Sequence, residues 1–266
     1  MSISIPEASI TVSAARWASD PPKLMDYEHT VAIVIVRGDI AKTKCGELVL
    51  RRIKGGPGSV EIYPRYNPGE NAEANFKFGN FKTGRDPKTI AVWYTPQHWD
   101  ITPKQSRDTI PPNLRAFEPG MLRDEVLFHE LVHSGRLLDG FRQKNQKLKP
   151  NPDDVAMYAS EDIAGYEDVE EFVTILVSNI YLSEKGQKVF RASHGVPNVP
   201  LILDQAQSSS EGFLTKASNL ALVKQFCETD PLAPKIANID TPFNPVRAFF
   251  NKNPKTLDIN KSLQKK

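Results

Sequence analysis

The sequence predicts an α+β protein whose amino-terminal half is rich in strands and whose carboxy-terminal half is helical. Two observations predict it. Short β-branched or alternating segments, separated by Gly, Pro and Asn clusters, fill the region before Pro111-Pro112. After that point, apolar residues recur at the spacing of a helix face. At 266 residues, 39% hydrophobic and 25% charged, the chain has the composition of an ordinary globular protein with enough length for one substantial core.

The elements read as follows. Residues 1–25 are polar, carry Pro6, Pro21 and Pro22, and read as an extended lead-in with room for one short strand. Residues 26–266 read as a single domain, since no internal repeat and no clear linker interrupts them. The run Val31-Ala32-Ile33-Val34-Ile35-Val36 suits a buried strand. Residues 47–53 alternate apolar and polar, with Leu48, Leu50 and Ile53 on one face. Residues 59–63 and 89–94 are further strands. Gly55-Gly56-Pro57-Gly58 reads as a turn, because the Lys-Ser/Thr and the helix of a phosphate loop do not follow it.

Residues 121–139 then carry Val126, Leu127, Leu131, Leu137 and Leu138 at helical spacing, with Glu118 and Asp124 near the start and Gly140 after the end. A polar connection rich in Pro and Lys spans 141–166. A second helix over 168–184 has Val169, Phe172, Val173, Leu176 and Ile180 as its apolar stripe and Gly186 as its stop. Residues 196–203 are extended and interrupted by proline, and helices are expected over 219–229 and 244–251.

Charge and cysteine usage exclude several classes. A net charge of +2 makes no general case for a nucleic-acid partner. The basic clusters at 142–149 and 261–266 read as a solvated loop and a terminus. No apolar run reaches the roughly 20 residues of a membrane helix. The first twenty residues lack a basic start followed by an apolar stretch, so the expectation is a cytoplasmic protein, or one exported without a cleavable signal. Cys45 and Cys227 read as two reduced thiols, one near a strand and one in a helix.

The chemistry concentrates in His129-Glu130-Leu131-Val132-His133. Positions four apart on a helix stack one turn apart on one face. Two imidazoles placed so can reach one ion with bonds of about 2 Å and leave tetrahedral positions free. Glu130 is turned toward the side where a metal-bound water would lie, as a general base for it. The ion expected is zinc, which needs a third protein ligand and one open position. The acidic segment Tyr166-Glu167-Asp168-Val169-Glu170-Glu171-Phe172 supplies the candidates. Glu170 and Glu171 point about 100° apart on a helix, so one alone takes the role. Glu171 is favoured, with Glu170 or Asp168 orienting a histidine's free N–H.

Together, His129-Glu130-Leu131-Val132-His133 and Glu170-Glu171-Phe172 resemble a zincin metallopeptidase of the glutamate-ligand type. Spacing and size resemble the bacterial effector metallopeptidases and, more remotely, the clostridial neurotoxin light chains. The resemblance covers residues 89–186. It implies a zincin-like fold with a sheet beside the zinc helix, Glu171 as the zinc ligand, and a protein or peptide substrate. Residues 89–94 would be the edge strand lining the cleft. The Asn-Glu-x-x-x-Asp form of thermolysin-like enzymes is absent. Asp139 stands where a metzincin has its third histidine.

An oxyanion of the reaction needs a polar partner, for which His194 is the first candidate and Tyr181 and Tyr166 the alternatives. His98 reads as a loop or strand-end residue, His29 as a turn residue before a strand, and Arg136 as half of a surface ion pair, with a substrate contact as the alternative. The expected function is a zinc-dependent metalloendopeptidase with Glu130 as general base, in the setting of a secreted effector or toxin. A metal-binding protein without turnover and a zinc amidase are the competing readings.

Overall fold

A computed structural model of the chain describes residues 2–14, 26–65, 72–78, 85–96, 99, 120, 122–139, 166, 169–193 and 200–256. It is a mixed α+β structure, with a five-stranded sheet in the amino-terminal half and helices in the carboxy-terminal half. The chain divides into two compact units, Met1–Asn145 and Gln146–Lys266.

In the first unit, strands β1 (Ser2–Ile5) and β2 (Ile10–Ser13) form an antiparallel pair around the short 3-10 turn Pro6–Ala8. The lead-in expected at 1–25 therefore holds two strands of the sheet, where the sequence suggested one at most. Ile10 and Val12 are buried at the alternate positions that strand geometry gives to one face. The next strand is β3 (Ser59–Tyr63), which pairs parallel to β2 and also parallel to β5 (Arg85–Trp93). β4 (Glu73–Phe78) runs antiparallel to β5 on its far side, giving the order β1-β2-β3-β5-β4. Residues 89–93 thus belong to an internal strand rather than the expected edge strand; β4 holds that edge. Val60, Ile62, Ile90 and Val92 are fully buried along the parallel centre.

Two expected strands are helical. The 31–36 run lies in a π-helical segment, Thr30–Asp39, that continues a helical turn at Tyr27–His29. Val31, Ala32, Ile35 and Val36 are buried while Val34 is 37% exposed, which is a helical face and not an alternation. A short apolar run cannot by itself separate a buried strand from a buried helix. Residues 47–53 lie in helix α1 (Lys44–Gly55), started by Thr43, whose side chain accepts from the Gly46 N–H. Cys45, Val49, Leu50 and Ile53 form its buried stripe, spaced four, one and three apart. Cys45 is therefore in a helix, not beside a strand.

Helix α2 (Arg123–Leu138) packs on β4, β5 and α1. It is buried from Asp124 to Leu138, its polar and charged residues included. Gly58 brings its backbone under the end of α2: a Cβ there would lie 2.0 Å from the Lys88 carbonyl oxygen and 2.8 Å from Leu138 Cδ2. The absence of a side chain is what permits that approach.

The second unit is helical. Helix α3 (Val169–Glu184) is buried over most of its length and ends near Gly186, whose φ of 81° suits glycine. Around it stand α4 (Ser210–Phe213), α5 (Ala217–Thr229), α6 (Ala233–Ala237) and α7 (Pro245–Lys252). Aromatic rings make the core: Phe190 stacks on Phe243 at 4.4 Å, and Phe213 meets Phe243 edge-on at 5.6 Å. Two buried side chains stitch the loops. Ser183 Oγ accepts from Thr241 Oγ1 and from the Phe243 N–H, and Asn179 exchanges two hydrogen bonds with the Arg191 backbone. Cys45 and Cys227 are both free and buried. Among the described residues no helix is long and apolar enough to cross a membrane.

Candidate metal centre

Helix α2 carries the motif and is held at both ends. At its start, the buried Glu125 carboxylate reaches back to the Gly120 N–H, which donates to both of its oxygens at 2.7 Å. The Tyr94 hydroxyl donates to the Arg123 carbonyl at 2.8 Å, and Tyr94's own carbonyl accepts from the Tyr27 hydroxyl at 2.8 Å. At its end, Arg52 of α1 donates from Nε to Asp139 Oδ2 at 2.7 Å, with the Arg52 side chain only 8% exposed. Asp139, six residues past His133, is thereby committed to an ion pair, and the helix runs unbroken to Leu138.

Between these anchors, His129 is 3% exposed, Glu130 6% and His133 9%. Their neighbours Leu127, Phe128 and Leu131 are fully buried, so the imidazoles sit on a helix that packing holds still. The two rings meet edge-on with centroids 4.8 Å apart, and the Nε2 atoms are 3.2 Å from one another. Two nitrogens each about 2.0–2.1 Å from one tetrahedral zinc are separated by about 3.3 Å. The pair has the bite of a zinc ligand set. His129, His133 and Glu171 each offer one ligand atom, and these atoms all lie within 4.8 Å of one another, a group that could hold a metal ion. No family model, curated protein or solved structure matches this chain.

The chemistry of the donor set, two imidazole nitrogens and one carboxylate oxygen, is of the kind zinc accepts. Glu130 follows His129 directly, and its carbonyl accepts from the Ser134 hydroxyl at 2.7 Å, a local back-bond within the helix. Glu170, 6% exposed in the first turn of α3, lies outside the donor set.

The other expected site residues are distributed more widely. Asp168, His194 and His98, and the cap at Gly140, lie outside the described residues. Tyr181 is fully buried in α3, with the Lys185 ammonium 5.4 Å from its ring centroid. Tyr166 meets Phe172 edge-on at 5.0 Å. His29 is exposed and ends a helical turn, with no strand after it. Arg136 is 3% exposed, which overturns its reading as a surface ion pair. It sits seven residues past His129 and three past His133, on their own face of the helix.

Arg52, Tyr94 and Glu125 were not singled out by sequence reasoning. Arg52 was hidden because its segment read as a strand; a helical reading would have put it three residues before the end of α1. Glu125 carried a signal, an acidic residue in the first turn of a helix.

Proposed function

We propose that this chain is a zinc-dependent hydrolase, and within that class a metallopeptidase of the zincin type with Glu171 as third ligand. The observation that carries the proposal is the 3.2 Å separation of His129 and His133 Nε2 with Glu130 next to the first of them. A structural metal site needs no carboxylate beside its ligands, and a water-activating one does. The sheet beside α2 and the resemblance in the 89–186 region support the zincin reading. A role as a secreted bacterial effector or toxin rests on that resemblance alone.

A bound zinc would supply a Lewis acid for the scissile carbonyl and lower the pKa of a water toward 7. The chain's residues supply the rest. His129, His133 and Glu171 would hold the ion. Glu130 takes the proton as the water attacks and returns it to the leaving amine, so the enzyme ends as it began. Low solvent exposure of Glu130 strengthens its interactions with the charges that develop.

The deciding experiment is metal analysis of the purified chain together with cleavage of a peptide library by wild type and Glu130→Gln. About one zinc per chain and cleavage lost in the variant support the proposal. Zinc without Glu130-dependent cleavage points to a metal-binding protein without turnover. Zinc absent from native protein removes the site altogether. Hydrolysis of small amides with peptides left intact points to an amidase.

A further inference from the structure

The second unit contains a cavity of about 220 Å³ that the proposed hydrolase reading does not use. One wall is apolar, made by Ala192, Pro200, Ile202 and Leu203. The lining also includes Lys216 and Asn219 at the start of α5, and Tyr166. Lys216 is the residue before the first turn, and no side chain caps this 13-residue helix. Its leading N–H groups therefore present the positive end of the helix dipole.

Two groups in the lining point to a ligand. Among the described residues, the Lys216 ammonium pairs with no carboxylate and the Tyr166 hydroxyl has no hydrogen-bond partner. Burial raises the Tyr166 pKa above the ordinary tyrosine range, so the phenol is a proton donor at neutral pH. Asp204, the one carboxylate in the lining, is engaged: Gln207 donates to its Oδ1 from the backbone at 2.8 Å and to its Oδ2 from Nε2 at 3.2 Å. The Asn219 side chain donates to the Phe213 carbonyl at 3.1 Å and keeps a second N–H. What the cavity leaves over is a cation, two kinds of neutral donor and a greasy wall.

We propose that this cavity binds a carboxylate carried on a short apolar tail. The carboxylate lies at the α5 amino terminus, against Lys216 and the Tyr166 hydroxyl, and the tail lies against Pro200, Ile202 and Leu203. A charge-assisted pair to an ammonium and hydrogen bonds to helix N–H groups are the strongest contacts such a site offers. The volume admits a branched chain of a few carbons. Such a carboxylate comes either from a free acid or from the carboxy terminus of a peptide ending in an aliphatic residue.

The test is calorimetric titration of the full chain with 4-methylpentanoate and with its primary amide. The second arm uses acetyl-Gly-Gly-Leu with a free or an amidated carboxy terminus. The free acid should bind at least about tenfold more tightly than the amide. Lys216→Gln, at a half-exposed position, should cost about tenfold, and Tyr166→Phe several-fold, with unchanged circular dichroism. Tighter binding of the peptide acid than of 4-methylpentanoate assigns the site to chain termini, and the reverse assigns it to free acids. Equal binding of acid and amide overturns the proposal. So does unchanged affinity in Lys216→Gln, or no heat from either acid at about 10 mM, well beyond ordinary ligand affinities. Neither arm requires zinc or Glu130, so its failure leaves the hydrolase reading standing.

Discussion

Replacing Glu130 by Gln keeps the shape of the side chain and removes its ability to take a proton. The proposed mechanism therefore predicts that Glu130→Gln binds zinc as wild type does and loses about 10²–10⁴-fold in kcat, read by metal analysis beside a cleavage assay. The donor set predicts a second contrast. Glu171→Gln should lower zinc affinity by more than tenfold, while Glu170→Gln should change it by a few-fold at most, read by competition with a chelator of known affinity. Cys227 behaves differently. Burial raises its thiol pKa, and the nearby Glu228 and Asp230 charges add to that. In native protein it should stay unlabelled by a thiol reagent at pH 8 and react within minutes once denatured.

At the scale of elements, the ion pair between Arg52 and Asp139 fixes the end of α2 to α1. Arg52→Met should destabilise the protein by about 1–3 kcal/mol in urea unfolding, because it leaves a partly shielded carboxylate without its cation. Gly58→Ala should also cost about 1–3 kcal/mol, since the added methyl meets backbone that cannot yield. Much of this architecture was legible. Helices α2, α3, α5 and α7 follow from 3.6-residue periodicity over ten residues or so, and β3 from a short β-branched run bounded by turns. The misread elements share a cause. Residues 31–36 and 47–53 are short enough to satisfy two periods at once, and tertiary burial decided between them. The ligand pair was legible because four-residue spacing on a helix is a local property. Arg52 and Tyr94 were not, because their roles depend on partners 87 and 29 positions away.

At the scale of the molecule, titrating groups set stability in opposite directions. Glu7 is held below the ordinary glutamate range by its own backbone N–H and by Arg37, whose Nε donates to it at 2.7 Å. A depressed carboxylate contributes stability that is present above its unfolded pKa and lost as pH falls through the folded one. Tyr166 and Cys227 are raised by burial, so their contribution is complete below the unfolded values and is lost as pH rises beyond about 9. Urea unfolding at pH 8 and pH 11 should show a steep alkaline loss that Tyr166→Phe and Cys227→Ala each make shallower. A slope unchanged in both variants would rule this assignment out.

The sheet order bears on kinetics. β2 has its parallel partner at a distance, with Val12 opposite Ile62 fifty positions later (62 minus 12), and β3 waits in turn for β5. Closing such loops costs entropy before any contact repays it, so the first unit should refold slowly, in milliseconds to seconds. During synthesis, β1 and β2 leave the ribosome as a hairpin with one edge open until β3 arrives. The hazard for this protein is therefore aggregation early in its life, and slower translation of the 14–58 stretch should worsen it.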